Sequence, residues 1–81
     1  MEQNFEIVEA ILRLDEEDRS GFHKELNLIS WNDRRPKYDI RGWNEEHTRM
    51  TKGVTLNKEE MEQFAVAALE HIGKGAVKDG V

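Results

Sequence analysis

Lys37, Asp39, Arg41 and Trp43 occupy alternate positions of the stretch PKYDIRGW, residues 36–43. If that stretch is a strand, the four side chains share one face at intervals of about 6.6 Å, and Tyr38, Ile40 and Gly42 take the other. Cations at such a spacing can follow a phosphate backbone. An indole beside them can stack on an unpaired base, a contact worth about 1–3 kcal/mol. Trp31 offers a second indole, and Lys24, Arg34, Arg35, Arg49 and Lys52 add positive charge around that face or at its rim. A duplex hides its base faces, so this combination suits single strands. On pattern alone, packing of Trp31 and Trp43 at a core edge or a dimer interface explains the aromatics equally well. Asp39 is out of place among cations and is expected to pair with Arg41 or a neighbouring lysine and orient it.

Other chemistries find little support. The chain has no cysteine, which removes thiol catalysis, disulfides and Cys-based zinc sites together. His23, His47 and His71 are far apart and form no H-x-x-x-H arrangement, so no metal site is expected. DEED (15–18) lacks the alternating ligands, central glycine and terminal glutamate of a calcium loop and reads as a solvated hairpin tip. Ser20 and Ser30 have no Ser-His-Asp context, and there is no phosphate-binding G-x-x-x-x-G-K-[ST] loop. No catalytic residue, cofactor or enzymatic activity is therefore assigned.

The formal net charge of −5 hides an asymmetry. Residues 1–18 hold one basic and seven acidic residues, residues 19–52 hold eight and five, and residues 53–81 hold three and five. A basic middle in an acidic frame can concentrate positive potential on one surface, or merely solvate an exposed sheet face. With 81 residues, one small domain is expected, marginal enough alone that a partner subunit is anticipated. The start of the chain is acidic and polar, unlike a signal peptide, and no stretch approaches a membrane span, so a soluble intracellular protein is expected.

These side chains need a sheet to position them. FEIVEAILRL (5–14) admits a helix, but its period-two run from Val8 to Leu14 and its β-branched residues favour a strand. DEEDRSG (15–21) reads as a hairpin loop, and FHKELNLISW (22–31) as a second strand with Leu26 and Leu28 on one face and Ile29 and Trp31 on the other. NDRRP (32–36) is a turn, KYDIRGW (37–43) the third strand, NEEHTRM (44–50) a polar loop and TKGVTL (51–56) a short fourth strand. Asn57 with Glu60 three positions later predicts a capped helix. Met61, Phe64, Ala65, Ala68, Leu69 and Ile72 form its apolar stripe, read as core packing, and Gly73 is expected to end it. The order is an α+β chain, β-β-β-β-α, with an antiparallel meander whose second face one helix cannot cover. Residues 1–73 are expected to form the domain and 74–81 a flexible tail.

KYDIRGW, TKGVTL and NKEEMEQF together resemble the positive cofactor four family of transcriptional coactivators and single-stranded DNA-binding proteins. The resembling features are Asp39-Ile40-Arg41 with Trp43, then Lys52-Gly53-Val54-Thr55-Leu56, then the helix from Lys58, over roughly residues 37–69. The whole chain is similar to the bacterial YdbC-type branch. The resemblance implies a curved four-stranded sheet, a homodimer joined through its helices, and sequence-independent binding of single-stranded DNA, with single-stranded RNA as a further ligand to test. Arg41 and Lys52 match the family's arginine and lysine, and Trp43 falls among its aromatics. Lys24, Trp31 and Lys37 join them by strand face alone. A Ser- and Lys-rich regulatory segment before the domain, present in eukaryotic members, is not expected here, which puts a coactivator role of the eukaryotic form in question. The implied setting is cytoplasmic and nucleoid-associated, in transcription, replication or repair. The alternative is a protein-interaction module whose sheet face takes a polypeptide, with the tryptophans as buried anchors.

Overall fold

The computed structural model describes residues 4–17 and 19–79. Asp18 of the DEED stretch and residues 80–81 of the expected tail lie outside the described residues. Strands β1 (Phe5–Glu17), β2 (His23–Trp31), β3 (Lys37–Trp43) and β4 (Val54–Leu56) precede helix α1 (Lys58–Asp79). They form one antiparallel sheet in the order β1-β2-β3-β4, as the alternation and short connections imply.

Three boundaries differ from expectation by more than a residue. β4 begins at Val54 rather than Thr51. β1 runs on through Asp15 and Glu16 to Glu17 rather than turning after Leu14. It is an edge strand whose register against β2 shifts three times, and exposed charges suit a bulged, twisted edge. α1 passes Gly73, where nothing lies near enough to oppose a side chain, and reaches Asp79. A glycine inside an exposed helix costs only about 1 kcal/mol, too little to stop it.

The turns follow their residue types. Asn32 and Asp33 both have positive φ, at 52° and 62°. The Arg34 N–H donates to the Trp31 carbonyl at 2.9 Å, closing a type I′ turn whose twist matches a hairpin. At the start of α1, the Glu60 N–H donates to Asn57 Oδ1 at 2.8 Å and the Asn57 N–H donates to Glu60 Oε1 at 2.9 Å. This reciprocal pair is the capping box expected from the sequence.

Directly opposed residues of antiparallel strands share a face. One face therefore carries Phe5, Ile7, Ala10 and Arg13 from β1, His23, Glu25, Asn27, Ile29 and Trp31 from β2, and Lys37, Asp39, Arg41 and Trp43 from β3. On a flat sheet, Arg41 (opposite Glu25) and Trp31 would lie about 20 Å apart along the strand. Instead the Arg41 guanidinium carbon sits 4.7 Å from the Trp31 ring centroid. Phe5, opposite Trp31, likewise brings its ring within 5.2 Å of Trp43, which is opposite His23. The sheet coils until its ends meet across the concave face. Ile29, Trp43, His23, Asn27 and Asp39 are fully buried there.

Tyr38 and Ile40 lie on the opposite, helix-bearing face, paired with Leu56 and Val54. Among the described residues, α1 touches only β3 and β4 of the strands. Its apolar stripe divides: Met61, Ala65 and Ala68 are half-buried, while Phe64, Leu69 and Ile72 are 53%, 70% and 63% exposed. Core packing within one chain thus accounts for only part of the stripe. A helix of 22 residues extends about 33 Å, far beyond the three-residue β4.

Candidate nucleic-acid interface

Arg41 is fixed by its own strand. Its Nε and Nη2 donate to the two oxygens of Asp39, each at 2.7 Å, a bidentate pair formed by residues two apart on one face of β3. Its Nη1 donates to the Thr51 carbonyl at 3.4 Å, and its plane lies over Trp31. Asp39 is completely buried and the Arg41 side chain is 13% exposed. The expected Asp39–Arg41 pairing is present, and the charge of Arg41 is already matched within the chain.

Trp43 corrects the expectation of an outward-facing stacking residue. It has no accessible surface, and its ring packs against Phe5 and His47, each at 5.2 Å between centroids. A base cannot stack on a ring enclosed by the coiled sheet. Trp31 lies 5.8 Å from Phe5 and retains part of its surface. The indole N–H groups of both tryptophans are buried without a hydrogen-bond partner. Phe5 therefore joins the two indoles into one cluster. Sequence reading missed it, because the contact depends on how far the sheet coils.

The three lysines are exposed but separated. Lys37 shares the face of Trp31 and Arg41, at the opening of β3. Lys24 is on the helix-bearing face, opposite Gly42. Gly42 is tied to Thr51 by N–H donation to Thr51 Oγ1 at 2.9 Å and by acceptance from the Thr51 N–H at 3.0 Å. Lys24 thus shares one end of the sheet with Lys52 and does not share the face of Lys37. Lys52 precedes Gly53, where a Cβ would lie 2.3 Å from the Ile40 carbonyl oxygen and 2.4 Å from Arg41 Cβ. Only glycine lets the chain pass β3 this closely.

A second polar group shares the concave face. His23 Nε2–H donates to Glu25 Oε2 at 2.5 Å, and Asn27 Nδ2 donates to Glu25 Oε1 at 2.9 Å. His47 Nε2 lies 3.0 and 2.9 Å from the two Glu25 oxygens. His47 comes from the 44–50 loop, which Asn44 organises by accepting from the Thr48 and Arg49 N–H groups, each at 2.9 Å. Arg13 of β1 pairs with Glu45 and ties the loop down. Burial pushes the Glu25 pKa up, but hydrogen bonds from Asn27, His47 and His23 outweigh it and hold the carboxyl below its ordinary range. The alternation His23-Glu25-Asn27 is visible in the sequence. That His47 joins it is not, because the loop fold decides it.

A coiled, four-stranded antiparallel sheet followed by one helix, with cations spread along its middle strands and loop, defines the class of this domain: a small α+β open-sheet protein. The chain belongs to the family described as Transcriptional Coactivator p15 (PC4), whose model matches residues 20–67, more than half of its length. The family is known for single-stranded DNA binding and coactivator roles. The match runs from the first turn through β2, β3 and β4 into α1 and leaves β1 outside. An uncharacterized protein of Treponema pallidum (strain Nichols) is 50% identical over 42 residues, which cover 52% of this chain and 49% of that relative. The match therefore spans about half of each protein. Among the described residues, no helix is long and apolar enough to cross a membrane.

Proposed function

We propose that this protein binds single-stranded DNA without sequence preference, as a homodimer and without catalysis, where duplexes are opened in transcription, replication or repair. Membership of the coactivator family is the observation that carries this reading. The exposed Lys24, Lys37 and Lys52 neutralise phosphates, Arg41 supports Trp31 from beneath the same surface, and Trp31 stacks on a base. Trp43 serves as core. The exposed Phe64, Leu69 and Ile72 of α1 meet the same residues of a second copy.

Titration of tryptophan fluorescence with an oligo-dT strand, in parallel with duplex and RNA of matching length, tests the reading. Quenching by the DNA single strand in preference to the duplex supports it, and no response at low salt refutes it. A polypeptide-binding reading has one observation in its favour. Val8, Leu12 and Leu14 on edge strand β1 are about half exposed, and an uncovered apolar strand can receive another chain. Indifference to every nucleic acid in the titration would turn the interpretation that way.

A further inference from the structure

We propose that His23, Glu25 and His47 form a zinc site. The candidate ligand atoms, one from each residue, all lie within 4.8 Å of one another. Both imidazoles direct Nε2 at a single carboxylate, at 2.5 and 2.9 Å. Two imidazoles and a carboxylate with one open position constitute a recurrent zinc donor set, and imidazole selects against magnesium and calcium.

The surroundings meet the other requirements of such a site. His23 and Glu25 are buried, at 1% and 6% exposure, and His47 is half-buried. Their positions are set by a strand, by the Asn44-organised loop and by the Trp43 ring against His47. Asn27 Nδ2 donates to Glu25 Oε1, the oxygen that His23 does not contact, an outer contact of the kind that orients a metal-binding group. A cavity of about 330 Å³, lined by Ile7, Ala10, Arg13, Glu25, Asn27 and His47, opens on the carboxylate and on His47. It provides an entry path and room for a water in the fourth position. On binding, each Nε2 presents its lone pair, and the protons now shared with Glu25 move to Nδ1 or leave to solvent. The ion would then fasten the 44–50 loop to β2. The linear spacing gives no sign of this, because His47 lies 22 residues beyond Glu25.

Chelator-treated protein should be titrated with ZnCl2 by calorimetry, and with cobalt(II), whose visible absorption reports tetrahedral nitrogen and oxygen ligation. One ion per chain, a cobalt band and a higher melting temperature with zinc are expected. His47→Ala removes one ligand at a half-exposed loop position. It should retain the circular dichroism of the parent and weaken zinc by more than the roughly 10–100-fold that loss of an outer contact costs. His71→Ala, on the exposed face of α1, should change nothing. Absence of saturable zinc binding, or equal binding by parent and His47→Ala, would overturn the proposal. Both readouts are independent of DNA binding.

Discussion

Removing the Arg41 guanidinium would leave the fully buried Asp39 carboxylate without its partner. Breaking such a pair from one side costs about 3–5 kcal/mol, so Arg41→Ala should sharply lower the urea midpoint, and loss of DNA binding in that variant would report unfolding. Trp31 and Trp43, both read from the sequence as stacking residues, divide in the fold, where Trp31 keeps part of its surface and Trp43 keeps none. Trp31→Phe should remove most of the oligo-dT quenching with little change in stability. Trp43→Phe should keep the quenching and lose stability, as measured by thermal melting. The Asp39–Arg41 pair was legible in the sequence because two residues at i and i+2 of a strand must be neighbours. The burial of Trp43 was not, because Phe5 and His47, which enclose it, approach only when distant segments come together.

At the level of elements, β3 and the cap of α1 follow from local residue types: alternation fixes the first, and the Asn57–Glu60 exchange fixes the second. The ends of β1 and α1 do not. Asp15–Glu17 look like a loop because charge usually marks one, yet a bulged edge strand accommodates charge equally well. Gly73 looks like a stop, but it faces open space and the helix continues. Gly53 carries the sharper lesson, since its role comes from the passing backbone of β3 and is invisible in its neighbours' types. Gly53→Ala would force its methyl into the Ile40 carbonyl. It should destabilise the fold by about 1–3 kcal/mol, read by chemical denaturation, and it should displace Lys52 from the end of the sheet.

For the whole molecule, one chain leaves Phe64, Leu69 and Ile72 in water on α1. Covering a leucine side chain is worth about 1.5–3 kcal/mol, and a two-fold contact counts it twice. Leu69→Glu should therefore convert the proposed dimer to monomer in sedimentation while leaving helicity intact; a dimer that persists would place the interface elsewhere. The meander and its capped helix were legible because alternation and capping are local. The curvature of the sheet was implied by the family resemblance, but its extent, which brings Phe5 onto Trp43 and Arg41 onto Trp31 and buries Trp43, was not legible, because those contacts join residues far apart along the strands. Charge placement also belongs to this scale: the acidic excess lies in the first 18 residues and in α1, and the middle of the chain is basic. The central claim, phosphate neutralisation along a single strand, is tested most directly by measuring oligo-dT affinity across a range of salt concentrations. For single strands the logarithmic slope should be about −0.7 per phosphate neutralised. It should become shallower by about one such step in each of Lys37→Ala and Lys52→Ala. Affinity that is absent at low salt, or that does not change with salt, would contradict it.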